Sequence, residues 1–203
     1  MKKYFLCFLL IVAVGVFVSC KKVKVDGCMD ATALNYNSTA DVDDNSCIYY
    51  AYGQNYAGGL VFYIDASKKH GLVCAPIDQG AGVQFAYPYS PVAHAIGTEI
   101  GTGQANTDSI IAVLGTTGVY AAQLCDALVS GGYSDWYLPA LQELLAMNTN
   151  LKMKNLGNLS TGNYWSSSET NNDEAWVVYF SEASSYLPIQ KSNWCCVRAI
   201  RAF

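Results

Sequence analysis

The sequence predicts an α+β domain carried behind an export leader. Three observations predict it. Two short runs rich in Val, Leu and aromatic residues, GGLVFYID (58–65) and HGLVCAP (70–76), flank the polar stretch 66–69. Apolar residues recur at helical spacing between residues 109 and 148. The chain then returns to strand-like segments, NYWSSSE, EAWVVYF and NWCCVRAIRAF.

The chain begins MKKYFLCFLLIVAVGVFVSC. Lys2 and Lys3 are followed by an apolar run from Tyr4 to Val18, which closes on Ser19 and Cys20. That run is shorter than the ~20 apolar residues that span a bilayer. Basic start, apolar middle and a small residue before a cut make a secretory signal. Phe17-Val18-Ser19-Cys20 resembles a lipobox, with Phe17 in place of the usual Leu. The resemblance implies a lipoprotein signal peptide at 1–19, a tether at 20–26 and acylation of Cys20. The partner of such an anchor is the membrane, and the location is the cell envelope, at the outer membrane or cell surface. Several acyl chains on one cysteine anchor stably where a single chain does not.

The full chain has a formal charge of -4, and losing Lys2 and Lys3 makes it more acidic still. Nucleic acid requires a basic footprint, so it is excluded as a partner. With 52% hydrophobic and 13% aromatic residues, the chain has ample material for one core.

Residues 27–49, GCMDATALNYNSTADVDDNSCIY, are dominated by Asn, Asp, Ser and Thr and cannot build a core. They form a small module stapled by Cys28 and Cys47, a closure worth roughly 3 kcal/mol in the chain-entropy model. The string resembles a short module, GC…DDxSC, of exported Bacteroidota-type proteins, with Asn45 where Gly is usual. Asn tolerates the left-handed backbone that such a turn needs. Asp41, Asp43 and Asp44, with Asn35 and Asn37, offer hard oxygen atoms of the kind calcium takes, but without the EF-hand spacing. Calcium is therefore the one cofactor considered, against a plain reading as solvated turns.

Four further cysteines follow: Cys74, Cys125, Cys195 and Cys196. An even number in an exported chain suggests disulfides. On a strand, Cys195 and Cys196 point to opposite faces, so each could meet a different partner, Cys74 or Cys125. One disulfide and two buried free thiols among these four is the competing reading.

Residues 52–203 form one continuous domain. The two apolar runs form a hairpin. Residues 80–106 show no period and read as a long loop. Ser109–Leu114 and Val119–Val129 have helical spacing, with Tyr120, Ala121, Leu124, Cys125 and Leu128 on one side. Gly131-Gly132 reads as the stop of that helix. Pro139 suits a helix start, and Leu141, Leu144 and Leu145 face inward from a helix reaching about Asn148. Glu143 lies near its N-terminus, where a carboxylate is favoured.

The ordered motifs GGLVFYID, HGLVCAP, IGTGQANT, GGYSDWYLP-x-x-x-EL, YWSSSE, AWVVYF and VRAIRAF resemble one family over residues 53–203. It is the DUF1566 group, or C-terminal domain of the Lcl collagen-like adhesin. The resemblance implies a C-type lectin-like fold, with two helices packed on small antiparallel sheets. It also implies a bond from the helical Cys125 to the last strand, at Cys196 or Cys195 with Cys196 preferred, which leaves Cys74 for Cys195. Ala140 departs from the family's Ser or Thr, so the capping box toward Glu143 is lost at about 1 kcal/mol.

For catalysis the sequence offers little. His70 and His94 are the two histidines, and no metalloprotease, nucleophile-elbow or Cys-x-x-Cys spacing appears. No enzyme is expected. For binding, YWSSSETNNDEAW places Glu169, Asn171, Asn172 and Asp173, with Glu174, in a loop between strands, flanked by aromatics. These atoms suit a glycan or protein ligand, although tight turns favour the same residues. Trp136, Trp165, Trp176 and Trp194 read as packing. Arg198 and Arg201 read as anchors for carboxylates such as Glu169 or Asp135. The function expected is recognition of an extracellular glycan or protein by an envelope lipoprotein. The alternative is a structural or assembly component of the envelope. A redox or hydrolytic enzyme stands last.

Overall fold

The computed structural model describes residues 22–86, 94–181 and 183–203. The leader, with Cys20 and the start of the tether, lies outside them. The strands are β1 (Asp26–Gly27), β2 (Val42–Asp43), β3 (Asn55–Tyr56), β4 (Gly59–Ile64), β5 (Gly71–Cys74) and β6 (Gly80–Val83). Helices α1 (Gly103–Leu114), α2 (Ala121–Asp126) and α3 (Leu141–Asn150) follow, then β7 (Gly162–Glu169), β8 (Glu174–Phe180), β9 (Ser185–Gln190), β10 (Cys195–Val197) and β11 (Ile200–Ala202). This is a mixed α+β fold with three short helices against antiparallel and mixed sheets.

One sheet runs β6-β10-β7-β8-β9 and a second runs β11-β5-β4-β3. The β10–β7 pairing is parallel, and the other neighbours within these two sheets are antiparallel. The final segment serves both sheets. Cys196 pairs with Tyr164 in the first, and Arg201 pairs with Val73 in the second.

Adjacent strand residues part between two cores, as a period of two requires. Val61, Val73, Trp165, Val177 and Cys195 enter one core with Ile110 of α1 and Tyr120 and Cys125 around α2. Their neighbours Phe62, Cys74, Tyr164, Val178 and Cys196 enter the other with Leu141, Leu144 and Met147 of α3. Helices thus cover both faces. That is why the strands read as continuous apolar runs rather than alternating ones.

The hairpin forms as expected, with Leu60 opposite Cys74 and Ile64 opposite Gly71. The 80–106 loop does not hold throughout. Gly80–Val83 is a strand because β10 pairs with it, although glycine has poor strand propensity. Helix α1 begins at Gly103, before the apolar spacing starts, because Asn106 and Thr107 of its first turns are buried against polar partners. Strand β9 also escapes the apolar pattern. It is an exposed edge strand containing Pro188, a residue that sheets admit at edges. Gly131 and Gly132 do not stop α2, which ends at Asp126. They make the turn between Ser130 and Tyr133 at φ +62° and +85°, and a Cβ on Gly131 would lie 2.4 Å from Gly58 Cα.

The small module carries the Cys28–Cys47 disulfide, with Cα atoms 4.9 Å apart. Asn45 adopts φ +59°. The bonds from Cys125 to Cys196 and from Cys74 to Cys195 are not formed, and all four are buried thiols. The alternation of β10 explains this. Cys195 shares a core with Cys125, and Cys196 shares the other with Cys74, so each expected pair would have to cross the sheet.

Candidate functional site

Three of the motifs, IGTGQANT, GGYSDWYLP-x-x-x-EL and YWSSSE, converge at one buried junction. Asn106 of α1 donates through Nδ2 to Gly97 O (2.6 Å) and Ser167 Oγ (3.2 Å), while its Oδ1 accepts from Gly97 N (3.1 Å). Thr107 Oγ1 donates to Gly103 O and accepts from Leu138 N at 3.0 Å. Ser168 Oγ donates to Gly97 O (2.6 Å), and Ser167 N donates to Pro139 O (2.7 Å).

Glu143 anchors this junction. Its Oε2 accepts from Ala140 N (2.7 Å) and its Oε1 from Gly101 N (2.8 Å). Half of the capping box therefore survives Ala140. The missing hydroxyl is replaced across the fold, because Ser168 Oγ accepts from Leu141 N (3.1 Å) and Thr98 O from Gln142 N (2.9 Å). The cost expected from Ala140 is offset by these partners for the helix's orphan donors. A Cβ on Gly103 would sit 2.3 Å from Glu143 Oε2, so α1 approaches closely only through glycine. Burial pushes the Glu143 carboxyl up, against the opposing pull of the backbone N–H groups of Ala140, Gly101 and Gly103.

The predicted ligand loop divides. Glu169 ends β7 and turns inward, with a side chain 2% exposed. It accepts from Lys191 Nζ at 2.7 Å and from Ala95 N at 3.2 Å. Glu169 is thus withdrawn from the surface, and its partner is not legible from pattern: Lys191, a lone lysine following a strand, looks like any solvated cation. Lys191 Nζ also donates to Asn172 O (3.0 Å), and Lys191 N donates to Asp173 O (2.8 Å). This buried lysine fastens the loop from beneath.

Asn171, Asn172, Asp173 and Glu174 do come together. Asn171 Oδ1 accepts from the backbone N–H groups of Asp173 (2.8 Å) and Glu174 (2.9 Å), and its Nδ2 donates to Glu174 Oε2 (3.1 Å). With Gln190, these residues line an open depression of ≈ 520 Å³. Its walls are amides and carboxylates on a turn whose shape is set by its own bonds.

The remaining candidates fall elsewhere. Asp41 pairs with exposed Lys22 (2.7 Å), and Asp43 and Asp44 accept from Asn45 N and Ser46 N. Among the described residues no group of three His, Cys, Asp or Glu side chains is placed to hold a metal. His70 and His94 are both exposed in turns or loops. Arg201 forms the expected fork with Asp135, at 2.7 and 2.8 Å, and stacks over Tyr133. Arg198 does not reach Glu169. It is buried and donates to Asp78 (2.6 Å) and to the carbonyls of Ala75, Gly157 and Asn158. Trp136 and Trp165 are core residues and Trp176 packs on the second core, whereas Trp194 is 70% exposed and overturns the packing reading. Among the described residues no helix is long and apolar enough to cross a membrane.

Comparison with known proteins agrees with this architecture. The model of the Lcl C-terminal domain matches residues 98–201. A fimbrial protein from Bacteroides ovatus ATCC 8483, known from a crystal structure, shares the fold at a TM-score of 0.53 and 17% identity, over 81% of this chain and 47% of that chain. This chain therefore spans just under half of that protein. No curated protein matches it. The Lcl C-terminal domain is of an adhesive, non-catalytic type, which accords with the expectation of a recognition domain rather than an enzyme. With its last strands, its WYLP helix and its buried serine run all inside the matched span, the chain belongs to the Lcl C-terminal domain family.

Proposed function

We propose that the protein is an envelope lipoprotein, tethered through Cys20, whose C-type lectin-like domain binds an extracellular ligand at the Asn171–Glu174 turn. The observation that carries this reading is the turn itself. Its amide and carboxylate groups are held in place by internal bonds and by Lys191 from below, yet they face an open depression. Preorganised polar groups bind at lower entropic cost than a mobile loop would. The stapled module, residues 27–49, stands between the proposed tether and the domain and serves as a spacer. Helices on both faces of a mixed sheet, with late strands joining both sheets, support the lectin-like reading.

The test is saturable binding by purified protein to immobilised extracellular glycans and surface proteins, with Asn171→Ala and Asp173→Asn as variants. Both variants are expected to fold normally and to lose binding. Because the loop oxygens are of the type calcium takes, the measurement is repeated with calcium and with a chelator. Wild-type silence on every glycan and protein tested, with an envelope partner co-purifying equally well with either variant, would favour an assembly role instead. For the tether, intact mass of the native protein is expected to show a cleaved leader and acyl chains on Cys20. A retained leader would overturn it.

A further inference from the structure

We propose that Trp194 and the Asn171–Glu174 depression form one continuous saccharide-binding surface, with the Trp194 indole as the stacking platform and a neutral glycan chain as ligand. The inference rests on the preceding assignment of the turn as the ligand face, and extends it to a second patch and a ligand class.

Trp194 and Val119 are 70% and 73% exposed. With Gly82, Val83, Gln84 and Gly118 they line a cleft of ≈ 550 Å³, with no charged side chain among the described residues that line it. The indole lies against bare backbone: the nearest atom to a Cβ built on Gly82 is Trp194 Cε3, at 4.0 Å. An exposed indole beside an uncharged cleft presents an apolar face on which a ring can stack. The other three tryptophans are packed, so this exposure is particular to one position.

The depression and the cleft lie at the two ends of the segment from Gln190 to Trp194. Gln190 lines the depression and Trp194 the cleft, and four residues of chain reach at most about 14 Å. The segment between them is braced. Gln84 Nε2 donates to Ser192 O (2.7 Å), Asn193 Nδ2 donates to Gln190 O (3.0 Å), and the buried Lys191 is held by Glu169. A ligand of a few sugar units would lie across both patches.

Chemistry selects the ligand. A sugar ring has an apolar C–H face that suits an indole, and a rim of hydroxyls that suits amides and carboxylates. The depression supplies Asn171, Asn172 and Gln190 amides with Asp173 and Glu174 carboxylates. Among the described residues no lysine or arginine lines either patch, and the chain is acidic, so a sulfated or otherwise polyanionic glycan is repelled.

The experiment titrates the protein with neutral oligosaccharides (cello-, xylo- and manno-hexaose) and with heparin, following tryptophan fluorescence and its quenching by iodide. At least one neutral hexamer is expected to bind saturably and to shield Trp194 from iodide, while heparin does not. Trp194→Ala should weaken that binding by about tenfold and Trp194→Phe by less. If Asn171→Ala abolishes binding while Trp194→Ala leaves it unchanged, the platform is wrong and the turn assignment stands. If Trp194→Ala alone abolishes it, the continuous surface is wrong. Preference for heparin, binding to phosphatidylcholine vesicles through Trp194, or no neutral hexamer bound would each overturn the proposal.

Discussion

Two regions of this molecule are built from the same polar residue types and behave oppositely. At the junction of α1, α3 and β7, Asn106, Thr107, Glu143 and Ser166–Ser168 are buried and bonded to backbone groups. At the Asn171–Glu174 turn, Asn and acidic side chains bond within the turn and face water. A buried polar group must find a partner or cost 1–3 kcal/mol, so the junction admits one arrangement and specifies the fold. The turn meets no such penalty, which leaves its outer atoms available to a ligand. Three of the motifs that mark the resemblance, IGTGQANT, GGYSDWYLP-x-x-x-EL and YWSSSE, meet in the junction, where they are architectural.

The sharpest way to break this contrast is at the boundary between the regions. Lys191→Ala would leave Glu169 buried without its cation and is expected to cost about 3–5 kcal/mol in urea denaturation. The double variant Lys191→Met, Glu169→Leu should recover most of that loss. A loss under 1 kcal/mol would mean that the pair is solvated. Within the junction, Glu143→Ala orphans the amides of Ala140 and Gly101, for an expected loss of about 2–4 kcal/mol, while Glu143→Gln keeps an acceptor and loses less. Burial raises the Glu143 carboxyl, so the folded chain holds that proton more tightly than the unfolded one. Wild-type stability relative to the Gln variant should then fall as pH rises from the ordinary carboxylate value through the raised one. The opposite slope would show that the amide donors outweigh burial.

Smaller effects belong to the surface. Arg201 holds the Asp135 carboxyl below its usual range, but that side chain is more than half exposed. Asp135→Asn is expected to cost under about 1 kcal/mol. The contribution is present above the unfolded carboxylate value and lost as pH falls through the depressed one. Asn171→Ala should change stability by under about 1 kcal/mol while removing ligand binding. A large destabilisation there would place the turn with the junction. The thiols provide a control without any stability change. Burial pushes Cys74 up to about 11 and Cys195 to about 12, and raises Cys125 and Cys196 as well. At pH 8 iodoacetamide should label these four only after unfolding.

Much of the fold was legible in the sequence because burial follows period and composition. The β4–β5 hairpin, the inward side of α2 and the start of α3 came from apolar spacing, and the Asp135–Arg201 fork from charge. What spacing could not show was polar burial. The first turns of α1 and the inward Glu169 are polar in sequence and buried in space, and β6 is a strand by virtue of its neighbour alone. At the site, the 171–174 turn was visible because Asn and Asp cluster there. Trp194 is misplaced by its reading as packing along with the other three tryptophans, on the positions that the family resemblance implies for them, and the turn before β10 puts it outside. The crosswise disulfides failed for a related reason: the alternation of Cys195 and Cys196 was foreseen, but not which core each would enter.

The stitching of both sheets by the final segment has a consequence for how the chain acquires its shape. Arg201 lies in register with Val73, and Val197 with Gly80, so ladders begun early are completed only by residues that emerge late. Such long loop closures slow folding and make it cooperative. Synthesis of the first hundred or so residues therefore completes neither of the two large sheets, and only the small stapled module can close before the far end is released.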